Sequence, residues 1–203
     1  MPAPHSINGR SDGGILVAGA GGFAAARRLS IDRLKLAPSD RVLIVGAGTG
    51  LDLDFLPSDV SVTAIDVTPA MLKHLERRAA GAGQPVTTRI MDARQLTFPD
   101  SSFDAVVMHL ILAVMPQPER GLREAVPVLK PGGRIAVFDK FLQDEERPSL
   151  KRRLLNVIAK PLFSDLNRRF GPLIAGTQLV IEHDQAVAFG DTYRVVTLVK
   201  LGE

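Results

Sequence analysis

Three glycines at alternate positions, Val45-Gly46-Ala47-Gly48-Thr49-Gly50, follow directly on the apolar run Arg41 to Val45. Glycine lets backbone come close to a ligand, and a helix opening at such a turn offers free N–H donors. Asp66 stands twenty residues after Gly46, at the end of a second apolar run. A carboxylate at that point can accept both hydroxyls of a ribose. Together these residues point to a nucleoside-bearing cofactor. The dinucleotide fingerprint needs its third glycine one residue later, where Leu51 stands, so the spacing better suits a cofactor without a pyrophosphate.

A second glycine turn, Ile15-Leu16-Val17-Ala18-Gly19-Ala20-Gly21-Gly22-Phe23, lies upstream. The strand after it runs into Gly46 rather than ending on an acid. It therefore reads as a lead into a first helix that would lie over the cofactor site as a lid.

Other chemistry is thin. The chain has no cysteine, which excludes disulfides, thiolate metal sites, iron–sulfur clusters and a cysteine nucleophile. No two of its four histidines share a local metal-ligand spacing, so no metal is expected. His109 and Asp139 stand at the ends of two expected strands, where ligands of open α/β sheets collect. Both are catalytic candidates: His109 as a general base or a pocket wall, Asp139 as another candidate by its position or a helix or loop cap. Tyr193 is the only tyrosine and tryptophan is absent, which argues against an aromatic nucleic-acid platform.

The elements that must hold these residues alternate. Residues 1–14, rich in Pro, Gly and Ser, read as a loose tail and residues 23–36 as a helix. Strands are expected at 41–45, 60–66, 85–92, 103–112 and 134–139, with helices at 51–56, 68–80 and 118–129 between them. Thr68 and Pro69 are suited to the N-cap and first position of their helix. Thr177 to Phe189 and Thr192 to Leu201, joined at Gly190-Asp191, read as a hairpin. The expected fold is a single α/β domain over 1–203: a doubly wound, mostly parallel, seven-stranded Rossmann-like sheet with a C-terminal antiparallel hairpin over 177–201.

Val42 to Gly50 resembles motif I of the class I S-adenosylmethionine (SAM)-dependent methyltransferases, and Ala64-Ile65-Asp66-Val67-Thr68-Pro69-Ala70-Met71-Leu72 their second motif. Met91-Asp92-Ala93, with Phe98-Pro99-Asp100-Ser101-Ser102-Phe103-Asp104, resembles the third, and Leu129-Lys130-Pro131-Gly132-Gly133-Arg134 the turn before strand five. The resemblance spans 40–140 and implies a SAM-binding core over 41–140, with S-adenosylhomocysteine as product. It implies that Gly46, Ala47, Gly48 and Gly50 line the methionyl and ribose part, and that Asp66 holds the ribose hydroxyls. Val67 and Met71 would pack on the adenine, Asp92 and Ala93 would meet its amino edge, and His109 would border the sulfonium. One departure stands out: the family's acid two residues before the first glycine is Ile44 here, leaving Asp52 or Asp139 as substitutes. The family's Asn/Asp-Pro-Pro-Tyr/Phe motif for amide or ring-amino nitrogens is replaced by Met108-His109-Leu110-Ile111, which disfavours nucleic-acid base methylation.

Net charge is +3, but Arg147 to Pro172 holds seven basic residues against Asp165 alone. Within the insert 147–175, Leu150, Leu154, Val157, Ile158, Leu162 and Phe163 recur at helical spacing. Lys151, Arg152, Arg153, Arg168 and Arg169 could meet an anionic membrane while these apolar residues dip inward, or they form the solvated face of a packed helix. The resemblance is closest to the bacterial phosphatidylethanolamine N-methyltransferases and ubiquinone/menaquinone C-methyltransferases, whose substrates are lipids. It implies a cytoplasmic enzyme, at most peripheral on the inner face of the membrane, acting on a small or lipid-like acceptor. The amine of phosphatidylethanolamine is the first choice. C- or O-methylation of a quinone, an NAD(P)-dependent oxidoreductase and a non-catalytic SAM-fold binding protein are the alternatives.

Overall fold

The structure, a computed structural model, describes residues 20–141, 170–188 and 192–202. Its seven strands are β1 (Arg41–Val45), β2 (Ser61–Asp66), β3 (Val86–Ile90), β4 (Phe103–His109), β5 (Leu129–Lys140), β6 (Leu179–Ala188) and β7 (Tyr193–Lys200). The helices are α1 (Ala20–Asp32), α2 (Pro69–Ala82), α3 (Pro118–Val128) and the one-turn α4 (Gly171–Ile174). The strands form one sheet in the order β3-β2-β1-β4-β5-β7-β6. β1 to β5 pair in parallel, while β7 runs antiparallel between β5 and β6. The expected doubly wound sheet with its antiparallel C-terminal strands is present.

The continuous apolar runs reflect cover on both faces. Successive side chains of β1 alternate between two cores. Leu43 and Val45 join Val106, Met108 and Ile135 on one side. Val42 and Ile44 join Ala105, Val107 and Ala136 on the other. Ile44, which takes the place of the family acid, is thus an interior packing residue.

Several boundaries differ from the sequence reading. The first helix ends at Asp32 rather than 36, because Lys35 turns left-handed (φ 54°) and Leu34 packs into the β1–β2 core. The helix expected at 51–56 is a single 3-10 turn, Leu53–Phe55. β4 stops at His109, since Leu110 is left-handed (φ 58°) and its N–H donates back to the Phe138 carbonyl (2.7 Å). Thr68 does occupy the N-cap of α2, with Pro69 behind it, but its hydroxyl caps nothing. Gly21 and Gly22 lie inside α1, and residues 15–19 of that upstream glycine stretch lie outside the described residues.

α1 is not a lid over the glycine turn. Phe23 meets Phe138 (ring centroids 5.6 Å) and Tyr193 (5.0 Å), and Ala26 joins Phe138 and Val195 in a small core. The helix therefore lies on the β5 and β7 part of the sheet. The tail 1–14 and Lys151, Arg152, Arg153, Arg168 and Arg169 lie outside the described residues. So does the basic insert, apart from its end at 170–175. There Phe170 packs edge-on against Phe141 (4.9 Å) and leads into α4.

Candidate functional site

The strand order reverses direction between β1 and β4, so their carboxyl ends part and leave a crevice, the usual ligand position in open α/β sheets. A cleft of about 450 Å³ opens there, walled by Gly46, Asp66, Val67, Met91, Asp92, Ala93, Arg94 and the loop Ile111, Val114, Met115, Pro116. Two glycines shape it in different ways. Gly46 is left-handed (φ 66°), and a Cβ on it would meet Ile111 Cγ1 at 2.6 Å, so its lack of a side chain lets the β4–α3 loop close against β1. Gly48 is also left-handed (φ 54°), but a Cβ there would meet nothing within 4 Å. Its bareness leaves open space.

Asp66 ends β2 with both oxygens on backbone donors: Oδ2 accepts from the Gly48 N–H (2.9 Å) and Oδ1 from the Thr68 N–H (2.9 Å). The carboxylate thus ties the glycine turn to the start of α2 and keeps lone pairs over for a hydroxyl ligand. Val67 beside it is 62% exposed and Met71 one turn on is 41% exposed. Such apolar surface next to an opening suits the flat face of a base.

Asp92 and Ala93 form the far wall. The Arg94 guanidinium donates to both Asp92 oxygens (Nε 3.0 and 3.1 Å, Nη2 2.6 Å), and the Arg94 N–H adds a bond to Oδ1 (2.9 Å). These bonds hold the Asp92 carboxyl below its usual range. Arg94 and the 111–116 loop were missed by the sequence reading. The apolar run continuing past β4 is the signal that could have marked the loop.

His109 and Asp139 take other places. The His109 side chain is completely buried and absent from the cleft walls. Its Nδ1–H donates to Asp52 Oδ1 (2.7 Å), its Nε2 lies 3.0 Å from the Ser30 hydroxyl, and its ring meets Phe138 edge-on. Arg27 donates to the same Asp52 oxygen. Burial pushes the Asp52 carboxyl up, but His109 and Arg27 more than reverse this and leave it below its ordinary range. With both ring nitrogens engaged and its side chain buried, His109 in this arrangement is not presented to the cleft. Nor is Asp52 free to substitute for the missing acid at position 44.

Asp139 is 1% exposed and accepts from the backbone N–H groups of Ala113 (3.0 Å) and Lys140 (2.8 Å). Burial raises its pKa, with those bonds opposing. It serves as the cap of the β4–α3 loop, and this geometry supports a structural rather than an acid–base role. Among the described residues no helix is long and apolar enough to cross a membrane.

Comparison with known proteins agrees with this geometry. Residues 43–137 match the family model described as a methyltransferase domain. The phosphatidylethanolamine N-methyltransferase of Cereibacter sphaeroides is 40% identical over 111 residues, covering 54% of this chain and 55% of that protein. The ubiquinone/menaquinone biosynthesis C-methyltransferase UbiE of Geotalea daltonii is 30% identical over 119 residues, covering 56% and 51%. The matched stretch thus spans about half the length of these relatives. Among solved structures, geranyl diphosphate C-methyltransferase from Streptomyces coelicolor, crystallised with S-adenosyl-L-homocysteine, superposes with a TM-score of 0.75. The match has 15% identity and covers 88% of this chain and 81% of that chain.

Proposed function

We propose that this chain, whose residues 43–137 match the methyltransferase domain model, transfers a methyl group from S-adenosylmethionine to a small or lipid-like acceptor. The observation that carries this reading is the Asp66 carboxylate. It is bonded to Gly48 N–H and faces a cleft of about 450 Å³ at the point where the strand order reverses. Asp66 would hold the ribose hydroxyls, Gly46, Ala47, Gly48 and Gly50 the methionyl and ribose part, Val67 and Met71 the adenine face, and Asp92 and Ala93 its amino edge. When bound, SAM supplies an already activated methyl on a sulfonium. The chain's own contribution is then placement of the acceptor and exclusion of water. With Ile44 in the core and Asp52 engaged by His109 and Arg27, the ammonium end of the cofactor would have to be held by acceptors other than these two positions.

For the acceptor, the amine of phosphatidylethanolamine is favoured by the 40% identity to a protein of that activity. A quinone ring carbon is the second reading, favoured by the 30% identity to UbiE. The basic insert 147–175 supports a lipid acceptor in either case, with Lys151, Arg152, Arg153, Arg168 and Arg169 at anionic headgroups. The test is incubation with methyl-labelled SAM and a total lipid extract, followed by mass analysis. Label in N-methylated phosphatidylethanolamine supports the first reading and label in a quinone the second. Label in neither, from a folded chain, contradicts a lipid acceptor.

A further inference from the structure

The inward face of α1 contains a feature that packing does not require. Phe23, Ala26, Arg27, Ser30 and Ile31 follow the i, i+3, i+4, i+7, i+8 rule of a buried stripe. Ala26, Ser30 and Ile31 are at most 3% exposed, and the Arg27 side chain is 11% exposed. Two polar residues thus stand where apolar ones would normally pack. Both end on the pair Asp52 and His109: Arg27 on the carboxylate, Ser30 on the imidazole.

We infer that Arg27 and Ser30 are positioning residues that pin α1 to the two turns framing the cleft, so that docking of α1 sets how tightly the cleft holds its ligand. This rests on the reading that the cleft takes SAM. Asp52 lies two residues after Gly50, and the Leu53 N–H donates to the Gly50 carbonyl (3.1 Å), so the carboxylate is fixed to the glycine turn. His109 lies two residues before Ile111, whose side chain closes on Gly46. The Leu110 N–H bond to the Phe138 carbonyl (2.7 Å) ties the turn between His109 and Ile111 to β5. A shift of α1 therefore pulls on both turns through groups that cannot be left unpaired, since stranding a buried charge is strongly unfavourable. Apolar residues would allow α1 to slide. An ion pair and an imidazole with both nitrogens taken specify one docked position. The order Ser30–His109–Asp52 matches that of a hydrolytic triad, yet all three are buried, so no acyl substrate reaches the hydroxyl.

The test uses the full chain and two readouts: SAM affinity by calorimetry, and hydrogen exchange of the α1 amides over 24–32. Ser30→Ala and the charge-balanced double variant Arg27→Gln/Asp52→Asn are chosen to fold. Each is expected to weaken SAM binding about tenfold, within the range of coupled sites, and to speed α1 exchange. Arg27→Lys, which keeps the charge on Asp52, is expected to recover most of the affinity that Arg27→Gln loses. Asp66→Ala is expected to lose affinity with α1 exchange unchanged. Wild-type affinity and wild-type exchange in both Ser30→Ala and the double variant would overturn the inference, as would equal affinity for Arg27→Lys and Arg27→Gln. If the wild-type chain takes no SAM, the methyl-transfer reading fails. Pinning is then decided by exchange alone: faster in both variants supports it, unchanged overturns it.

Discussion

The carboxyl edge of the sheet is finished in two ways on either side of β1. Toward β2 and β3 it is left open: Gly48 faces empty space, Val67 is 62% exposed, and Asp66 keeps acceptor capacity beyond its two backbone donors. Toward β4 and β5 it is sealed. His109, Asp52 and Ser30 satisfy one another beneath α1, and Asp139 spends its oxygens on loop N–H groups. Strand-end position alone therefore does not mark a reactive residue. What separates the halves is whether the polar group still faces an opening. The open half is suited to binding and the sealed half to holding the binding surface in shape.

The largest expected effect breaks the boundary between the halves. Gly46→Val forces a Cβ into Ile111 from a left-handed backbone and should destabilise the fold by about 3 kcal/mol or more, read by urea denaturation. Gly48→Ala has the same backbone strain without a clash and should cost only about 1 kcal/mol, while still impairing SAM binding. Equal destabilisation by the two would erase the distinction.

Next is Asp66→Ala, which should weaken SAM binding by about tenfold or more, from the loss of hydrogen bonds to a charged group. Its effect on stability should be smaller than that of Asp139→Ala, which strands buried N–H donors and should cost about 1–3 kcal/mol.

The sealed half should also show in acid. The folded Asp52 carboxyl lies below its ordinary value, so its stabilisation is complete above the unfolded pKa near 4 and is lost as pH falls through the folded one. Asp52→Asn should flatten that acid limb. The smallest effect belongs to Glu182, which Arg134 bonds hold down to about 2. Glu182→Gln should remove under about 1 kcal/mol of stability, sensitive to salt and lost between about pH 4.5 and 2, because the pair is partly exposed.

Much of the open half was legible in the sequence because its parts are local. The glycine spacing, the β-branched runs and the acid at the end of β2 follow short-range rules, and the strand alternation gives the doubly wound sheet. The sealed half was not. Asp52 and His109 are 57 residues apart, and Ser30 and His109 are 79 apart, so no periodicity joins them. His109 and Asp139 read as catalytic candidates because position was visible and partners were not. The left-handed Leu110 that ends β4 also carries no local signature, since leucine does not favour that conformation. Arg27 and Ser30 did leave a trace, as polar residues on the inward stripe of α1.

The most direct test of the cleft as the cofactor site is a crystal structure with S-adenosylhomocysteine. The expected result has the ribose hydroxyls on Asp66 and the adenine between Val67 and Ala93. A cleft that stays empty at saturating ligand, or a ligand seated elsewhere on the chain, would contradict it.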